Sequence, residues 1–312
     1  MLASLVNSIT VVINAASGNG HAAEWVDTLA AKFRASGLDA HITLAKSGDE
    51  IALTVQRAVA AGAPIIVAGG GDGTINKVAA MLVGSGSVLG VLPLGTLNHF
   101  AKDLGIPLQL DEAIKHIAAG HTTLVDTGEV NGKIFLNNSS LGLYPDIVRE
   151  REKQQQRLGR GKWLAFFWAS MMALRRFPFL QVRLSMDGKQ HLRRTAFVFI
   201  GNNAYLMEGF NIGARTCLNT GQLCLYVSHH TGRFGMLRLA ISALFGRIRQ
   251  AKDFDVVSTK EILIETHHKH LRVATDGEVN VMETPLQYRI RPAALRVLVP
   301  RGADNTDNSS AS

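Results

Sequence analysis

The feature that most limits what this chain can fold into is the alternation of short, unbroken apolar runs with helical periodicity through roughly its first 125 residues. Residues 9–14, 40–44, 64–68 and 88–92 read as strands. Between the first two, Trp25, Leu29 and Phe33 recur at helical spacing; Ile51, Val55 and Val59 share one face of a segment over 49–61. Further helices are predicted over 74–83, 99–104 and 110–119. Strands that are apolar on both faces must be covered on both faces, and helical crossovers make neighbouring strands parallel. An α/β domain with a parallel sheet is therefore expected over residues 1–124.

Beyond Leu124 the texture changes. Residues 135–140, 181–186, 195–201, 222–228, 261–266, 270–275 and 294–300 read as strands, interrupted by two long helical stretches near 147–174 and 233–249. This predicts a second domain over 125–300, mostly antiparallel β and sandwich-like, whose last strand or following tail packs back on the first. The polar segment 301–312 is expected to be disordered. With 46% apolar and 19% charged residues in 312, the chain has the composition of a folded protein with a sizeable core.

The formal net charge of +8 favours an anionic partner, whether phosphate, acidic lipid headgroup or nucleic acid. Cys217 and Cys224 provide neither a disulfide framework nor zinc spacing, and a bridge between them is not expected. The first ten residues lack the basic and apolar regions of a signal peptide. The longest apolar run, 163–174, falls short of the ~18 residues of a membrane span. A cytoplasmic protein is expected, with at most peripheral contact at the inner face of the membrane. Nothing in the sequence sets an oligomeric state.

Where the third strand meets a helix the chain reads Gly69-Gly-Gly-Asp-Gly-Thr74. Residues without side chains let backbone N–H groups approach a phosphate, and the following helix N-terminus adds partial positive charge. Thr74 and Asn76 open that helix. Asp72 puts a carboxylate beside bound phosphates, which is unfavourable unless a cation bridges them, so Mg²⁺ is implied. A plain strand–helix turn also uses glycines, but this run with its embedded Asp exceeds that need. It is not a Walker A loop, because Gly-Lys-Ser/Thr is missing. Nor does the first turn, Asn14-Ala-Ala-Ser-Gly-Asn-Gly20, carry a dinucleotide fingerprint.

A similar turn, Pro93-Leu-Gly-Thr-Leu-Asn98, follows the fourth strand. Thr96 and Asn98 offer a hydroxyl and an amide to phosphate oxygens; helix capping is an equal use for either alone. Three such turns would share the sheet edge where open α/β sheets bind ligands. Far along the chain lies Thr275-Asp-Gly-Glu278. In a strand, Asp276 and Glu278 would point to one side and supply a base and an orienting or metal contact. Asp-Gly is also a strong hairpin signal, the better account when the segment is read alone.

Together these motifs resemble the diacylglycerol kinase catalytic family, in its bacterial lipid-kinase branch, over residues 11–300. Gly70 to Thr74, Asn14 to Gly18, Pro93 to Asn98 and Asp276 to Glu278 correspond to its motifs in order, followed by Pro292-Ala-Ala-Leu295. The resemblance implies an NAD kinase/diacylglycerol kinase-like fold that holds ATP between two domains. It implies contacts from Asn14, Ser17, Gly18, Gly70, Gly71, Asp72, Gly73, Thr74, Ile75, Asn76, Gly95, Thr96 and Asn98. Thr43 resembles the family's threonine near the nucleotide, one residue out of register. Asp276 or Glu278 would accept the proton of a lipid hydroxyl.

The chain also departs from the pattern. Lys77 stands where the family often has an acidic residue, His99 where it usually has Asp, and Ala15 where it has Pro. The segment that often reads Asp-Gly-Leu, supplying an accessory metal carboxylate, reads Thr220-Gly-Gln222; Cys217, Thr220 and Gln222 occupy that site's positions. The Mg²⁺ expected near Asp72 is less affected. Residues 157–176 join aromatic and Met-rich apolar residues to basic flanks, suited to a membrane interface or to a buried helix with charged ends. The apolar face within 233–252 suits core packing. No nucleic-acid motif is present, so a lipid is the expected partner. The alternatives are an NAD kinase, which shares the Gly-Gly-Asp-Gly-Thr turn, and a non-catalytic lipid-binding regulator.

Overall fold

The computed structural model describes residues 8–17, 23–142, 180–206, 214–215, 217–228 and 254–301. The two long predicted helices, the stretches with basic flanks and nearly all of the tail lie outside these residues. The chain divides into two compact units: Met1–Thr127 with Pro292–Ser312, and Gly128–Arg291. The division thus falls after Thr127 in place of the boundary expected after residue 124. The residues from Pro292 onward belong to the first unit, not the second.

In the first unit, β1 (Ser8–Asn14), β2 (Asp39–Ala45), β3 (Ile65–Gly70) and β4 (Val88–Pro93) form a parallel sheet in the order β2-β1-β3-β4. They alternate with α1 (Ala23–Ala35), α2 (Gly48–Ala60) and α3 (Asp72–Leu82); α4 (His99–Asp103), α5 (Leu110–Ala119) and β5 (Thr122–Val130) follow. The strands are continuous because their side chains are buried on both faces: all six residues of β3 and all six of β4 are inside. Helices supply the cover. Leu29 and Phe33 of α1, with Ala113, Ile114 and Ile117 of α5, join Ile13, Val67 and Leu92 in one core. α2 starts where Ser47 accepts the N–H of Glu50 (3.2 Å), the N-cap of a Ser-x-x-Glu pattern.

The second unit carries β6 (Lys133–Phe135), β7 (Asn138–Gly142), β8 (Leu180–Met186), β9 (Lys189–Thr195), β10 (Phe197–Asn202), β11 (Tyr205–Leu206), β12 (Ala214–Arg215), β13 (Leu223–Ser228), β14 (Phe254–Thr259), β15 (Glu261–Thr266), β16 (His270–Thr275) and β17 (Glu278–Glu283). The long β18 (Leu286–Leu298) begins in this unit and ends in the first. Its early residues pair antiparallel with β15, which pairs with β8 and then β9. The other sheet runs β14-β13-β10-β7-β16-β17, also antiparallel. The inner faces meet in one core, where Leu184, Ile264 and Tyr288 from one sheet join Val198, Leu225 and Val273 from the other. That is a β-sandwich.

In the first unit, the last residues of β18 add a fifth parallel strand, with Val297 opposite Leu89 of β4. Leu295, Val297, Leu298 and Val299 are buried, the Val299 N–H bonds His121 O (2.9 Å), and Asp126 accepts the Ala293 N–H (2.8 Å).

Candidate active site

The strand order places a reversal between β1 and β3. The chain leaves β1 towards β2 on one side and leaves β3 towards β4 on the other. The carboxyl ends of those two strands therefore flank the switch point of the topology, the usual ligand position in open α/β sheets. The turns after β1, β3 and β4 all lie at this edge and are stitched together. Asn14 ends β1; its Oδ1 accepts the Ala16 N–H and its Nδ2 donates to Thr74 Oγ1, each at 3.0 Å. Gly70 O accepts the Leu94 N–H (3.0 Å), joining the second turn to the third.

Glycine is needed at these turns for close approach. A Cβ on Gly95 would lie 2.4 Å from Gly71 Cα, and one on Gly70 would lie 2.6 Å from Thr74 Cβ. The Gly71–Gly95 contact packs main chain on main chain, and the Gly70 contact packs main chain on the Thr74 side chain. The first N–H groups of a helix have no partner within it. At α3 these belong to Asp72 and Gly73, because the N–H groups of Thr74 and Ile75 both return to Gly71 O (3.0 and 3.1 Å). The Asp72 carboxylate is half-buried, with one long bond from the Phe100 N–H (3.4 Å).

Several residues expected to touch phosphate are placed differently. Asn98 is buried in left-handed backbone; its Oδ1 accepts the Gly95 N–H (3.1 Å) and its Nδ2 donates to Gly95 O (2.9 Å) and Pro93 O (3.4 Å). Its amide shapes the third turn instead of facing solvent. The Thr74 hydroxyl is taken by Asn14, and Ile75 lies wholly in the core. Thr43 sits inside β2 opposite Val12, two residues short of the edge. Thr96 is exposed, as a ligand contact would require. Ser17 Oγ and Asn76 Oδ1 are buried without a hydrogen-bond partner among the described residues. Gly18 lies outside them. Lys77 reaches back towards α2, its Nζ 2.7 Å from where a Cβ on Gly48 would be. Nothing in the residue pattern marks that contact.

In the second unit, the carboxylates of Asp276 and Glu278 do not share one face of a strand. Asp276 and Gly277 have φ of 48° and 86°, and Thr275 pairs with Glu278. They form the two-residue hairpin turn between β16 and β17, the type that Asp-Gly favours. Asp276 turns inward: Oδ2 accepts the Leu136 N–H (2.7 Å) and Oδ1 accepts those of Asn137 (2.8 Å) and Asn138 (3.0 Å). Burial pushes its carboxyl up from the usual range, while these amides and the Arg215 guanidinium oppose the shift. Arg215, itself buried, donates to Leu136 O (2.7 Å) and Asn137 Oδ1 (2.6 Å). Glu278 instead faces solvent, its side chain 62% exposed and 3.5 Å from Lys133 Nζ.

Cys217 and Cys224 form no disulfide. Among the described residues, no three His, Cys, Asp or Glu side chains gather as metal ligands. At the accessory position the side chains are a soft thiol, a hydroxyl and an amide, without the carboxylate that Mg²⁺ usually has. Asp72 does suit it: a hard oxygen donor, little engaged by the protein, beside free amides. No described helix is long and apolar enough to cross a membrane.

The fold is an α/β unit with glycine turns at the carboxyl edge of its parallel sheet, on a chain that also carries a β-sandwich. Comparison with known proteins gives this class its family. Residues 8–130 match the diacylglycerol kinase catalytic domain, and residues 145–299 match the YegS C-terminal NAD kinase beta sandwich-like domain. The "Probable lipid kinase YegS-like" of Klebsiella pneumoniae (strain 342) is 31% identical over 277 residues, covering 86% of this chain and 88% of that protein. The "Probable lipid kinase YegS" of Salmonella newport (strain SL254) is 30% identical, with the same coverage. A crystal structure of a diacylglycerol kinase from Bacillus anthracis str. Sterne superposes with a TM-score of 0.70 at 22% identity, over 96% of this chain and 99% of that one. The chain belongs to the YegS-like lipid kinase family, with its diacylglycerol kinase catalytic domain.

Proposed function

We propose that this protein transfers the terminal phosphoryl group of ATP to the hydroxyl of a lipid. One observation carries the reading: the glycine turns after β3 and β4 pack main chain on main chain at the carboxyl edge of the parallel sheet, in a chain of the lipid kinase family. The Asp72 and Gly73 amides would hold phosphate oxygens, with the α3 N-terminus adding favourable field. The exposed Thr96 hydroxyl and the buried Ser17 hydroxyl are further donors for the same phosphates. Asp72 would hold Mg²⁺, which when bound neutralises phosphate charge.

Glu278 is the better of the two candidates for proton acceptor. Its carboxylate meets solvent, whereas that of Asp276 spends its lone pairs on three amides. Asp276 fixes the hairpin on which Glu278 stands. Phosphoryl transfer through a loose transition state asks little of the base until late, so positioning and charge stabilisation set most of the rate.

The test uses terminally labelled ATP with a total lipid extract in one tube and NAD in another. Label in a chloroform-soluble product supports the proposal, and mass spectrometry of that product names the acceptor. Label only in NADP would refute it.

A further inference from the structure

The turn that the family resemblance would make an accessory metal site is closed in this chain by a side-chain amide. Asn203 is fully buried and holds left-handed backbone (φ 67°), which Asn tolerates better than most residues. Its Oδ1 accepts both the N–H (2.9 Å) and the hydroxyl (2.5 Å) of Thr220. Its own N–H donates to Gln222 O (3.0 Å), so the Thr220–Gln222 turn is gripped at both ends. The grip continues inward. Asn203 Nδ2 donates to Asn202 Oδ1 (3.2 Å), and Asn202 Nδ2 donates to Leu136 O (2.8 Å). Arg215 joins Leu136 O to Asn202 O, and Asp276 holds the Leu136 N–H. A bonded path therefore runs from the Thr220 turn to the hairpin that bears Glu278.

Mg²⁺ keeps hard oxygen ligands, usually with one or two carboxylates among them. This turn has no carboxylate and its thiol is soft. We infer that Asn203 replaces the accessory divalent ion here: an amide inside the protein holds residues 217–222 in register with the Asp276 hairpin. Asn203 and Thr220 are positioning residues, and the turn needs no metal.

The experiment measures thermal unfolding of the nucleotide-free protein and of Thr220→Val, each in EDTA and in excess MgCl₂. Valine keeps the shape and the N–H but removes the hydroxyl, leaving a polar acceptor short of one donor. The Tm of the variant should fall by about 2–6 °C in both buffers. Any change caused by Mg²⁺ should be the same in the two proteins. The inference is overturned if Mg²⁺ raises the wild-type Tm more than that of the variant, because the ion would then be reading Thr220. It is equally overturned if the variant melts with the wild type. The readout involves no ATP, so failure here is distinguishable from failure of the kinase proposal.

Discussion

Asparagine at position 276 and glutamine at position 278 should separate two carboxylates that lie two residues apart. Both substitutions remove one charge and keep the side-chain shape. Asp276 is half-buried and accepts three main-chain N–H groups, two at Oδ1 and one at Oδ2. An amide in its place keeps one oxygen. Whichever way it turns, its NH₂ faces at least one N–H, so one or two bonds are lost and buried donors are stranded. Each stranded donor costs about 1–3 kcal/mol, and Arg215 loses an opposing charge, giving about 2–5 kcal/mol for Asp276→Asn. At ~2–4 °C per kcal/mol for a unit of this size, Tm should drop by about 5–15 °C. Glu278 has one exposed partner, Lys133, in a surface pair worth at most about 1 kcal/mol. Glu278→Gln should therefore melt within about 2 °C of wild type. Its kcat for lipid phosphorylation should fall by about 10²–10⁴. Calorimetry and an initial-rate assay on the two variants suffice. An unchanged Tm for Asp276→Asn would refute its role as the clamp of the hairpin. Full kcat for Glu278→Gln would remove that residue as proton acceptor.

Asp72→Asn should fold with an unchanged Tm but lose phosphoryl transfer, as measured by label incorporation. Gly95→Ala should lower Tm by about 3–10 °C and raise KM for ATP, because its Cβ would lie 2.4 Å from Gly71 Cα, main chain against main chain. Gly71→Ala should leave Tm nearly unchanged, since its Cβ would sit at an ordinary 3.5 Å from Gly95 Cα. His116 is buried, and desolvation, with the nearby His121 charge, holds its pKa below the ordinary value. Protonation therefore favours the unfolded chain: stability is complete above about pH 6.5 and declines below it, by up to ~1.4 kcal/mol per pH unit until the folded-state pKa is reached. Urea midpoints from about pH 7 to about pH 5 should show this slope, and His116→Leu should flatten it.

The parallel half of the fold was legible because its strands are short, apolar on both faces and separated by clear helical spacing; observed bounds differ by a residue or two. The sandwich was harder. β9, Lys-Gln-His-Leu-Arg-Arg-Thr, has few apolar residues because it is an edge strand, where charge guards unpaired backbone. β5, β14 and β17 likewise carry no clear strand pattern, and that of β18 is clear only from residue 294 because Pro292 and Ala293 break its alternation. In the site, residue types were legible but their orientations were not. Asn98 and Asp276 are polar residues in turn motifs, and sequence cannot say whether such a side chain faces a ligand or folds back on its own turn. Positive φ decides it here, turning both towards neighbouring amides.

The sheet that bears the glycine turns is discontinuous in sequence, since its fifth strand is supplied by residues that follow the entire sandwich. During synthesis, when domains usually form in order of emergence, this one must wait: 164 residues of the other unit, Gly128–Arg291, leave the ribosome before Leu295 and Val297 can fill its core. A fragment cut after Thr127 would present the Val88–Pro93 strand as a bare edge, prone to pairing with other chains, so the catalytic half is not a module that can be excised or swapped alone.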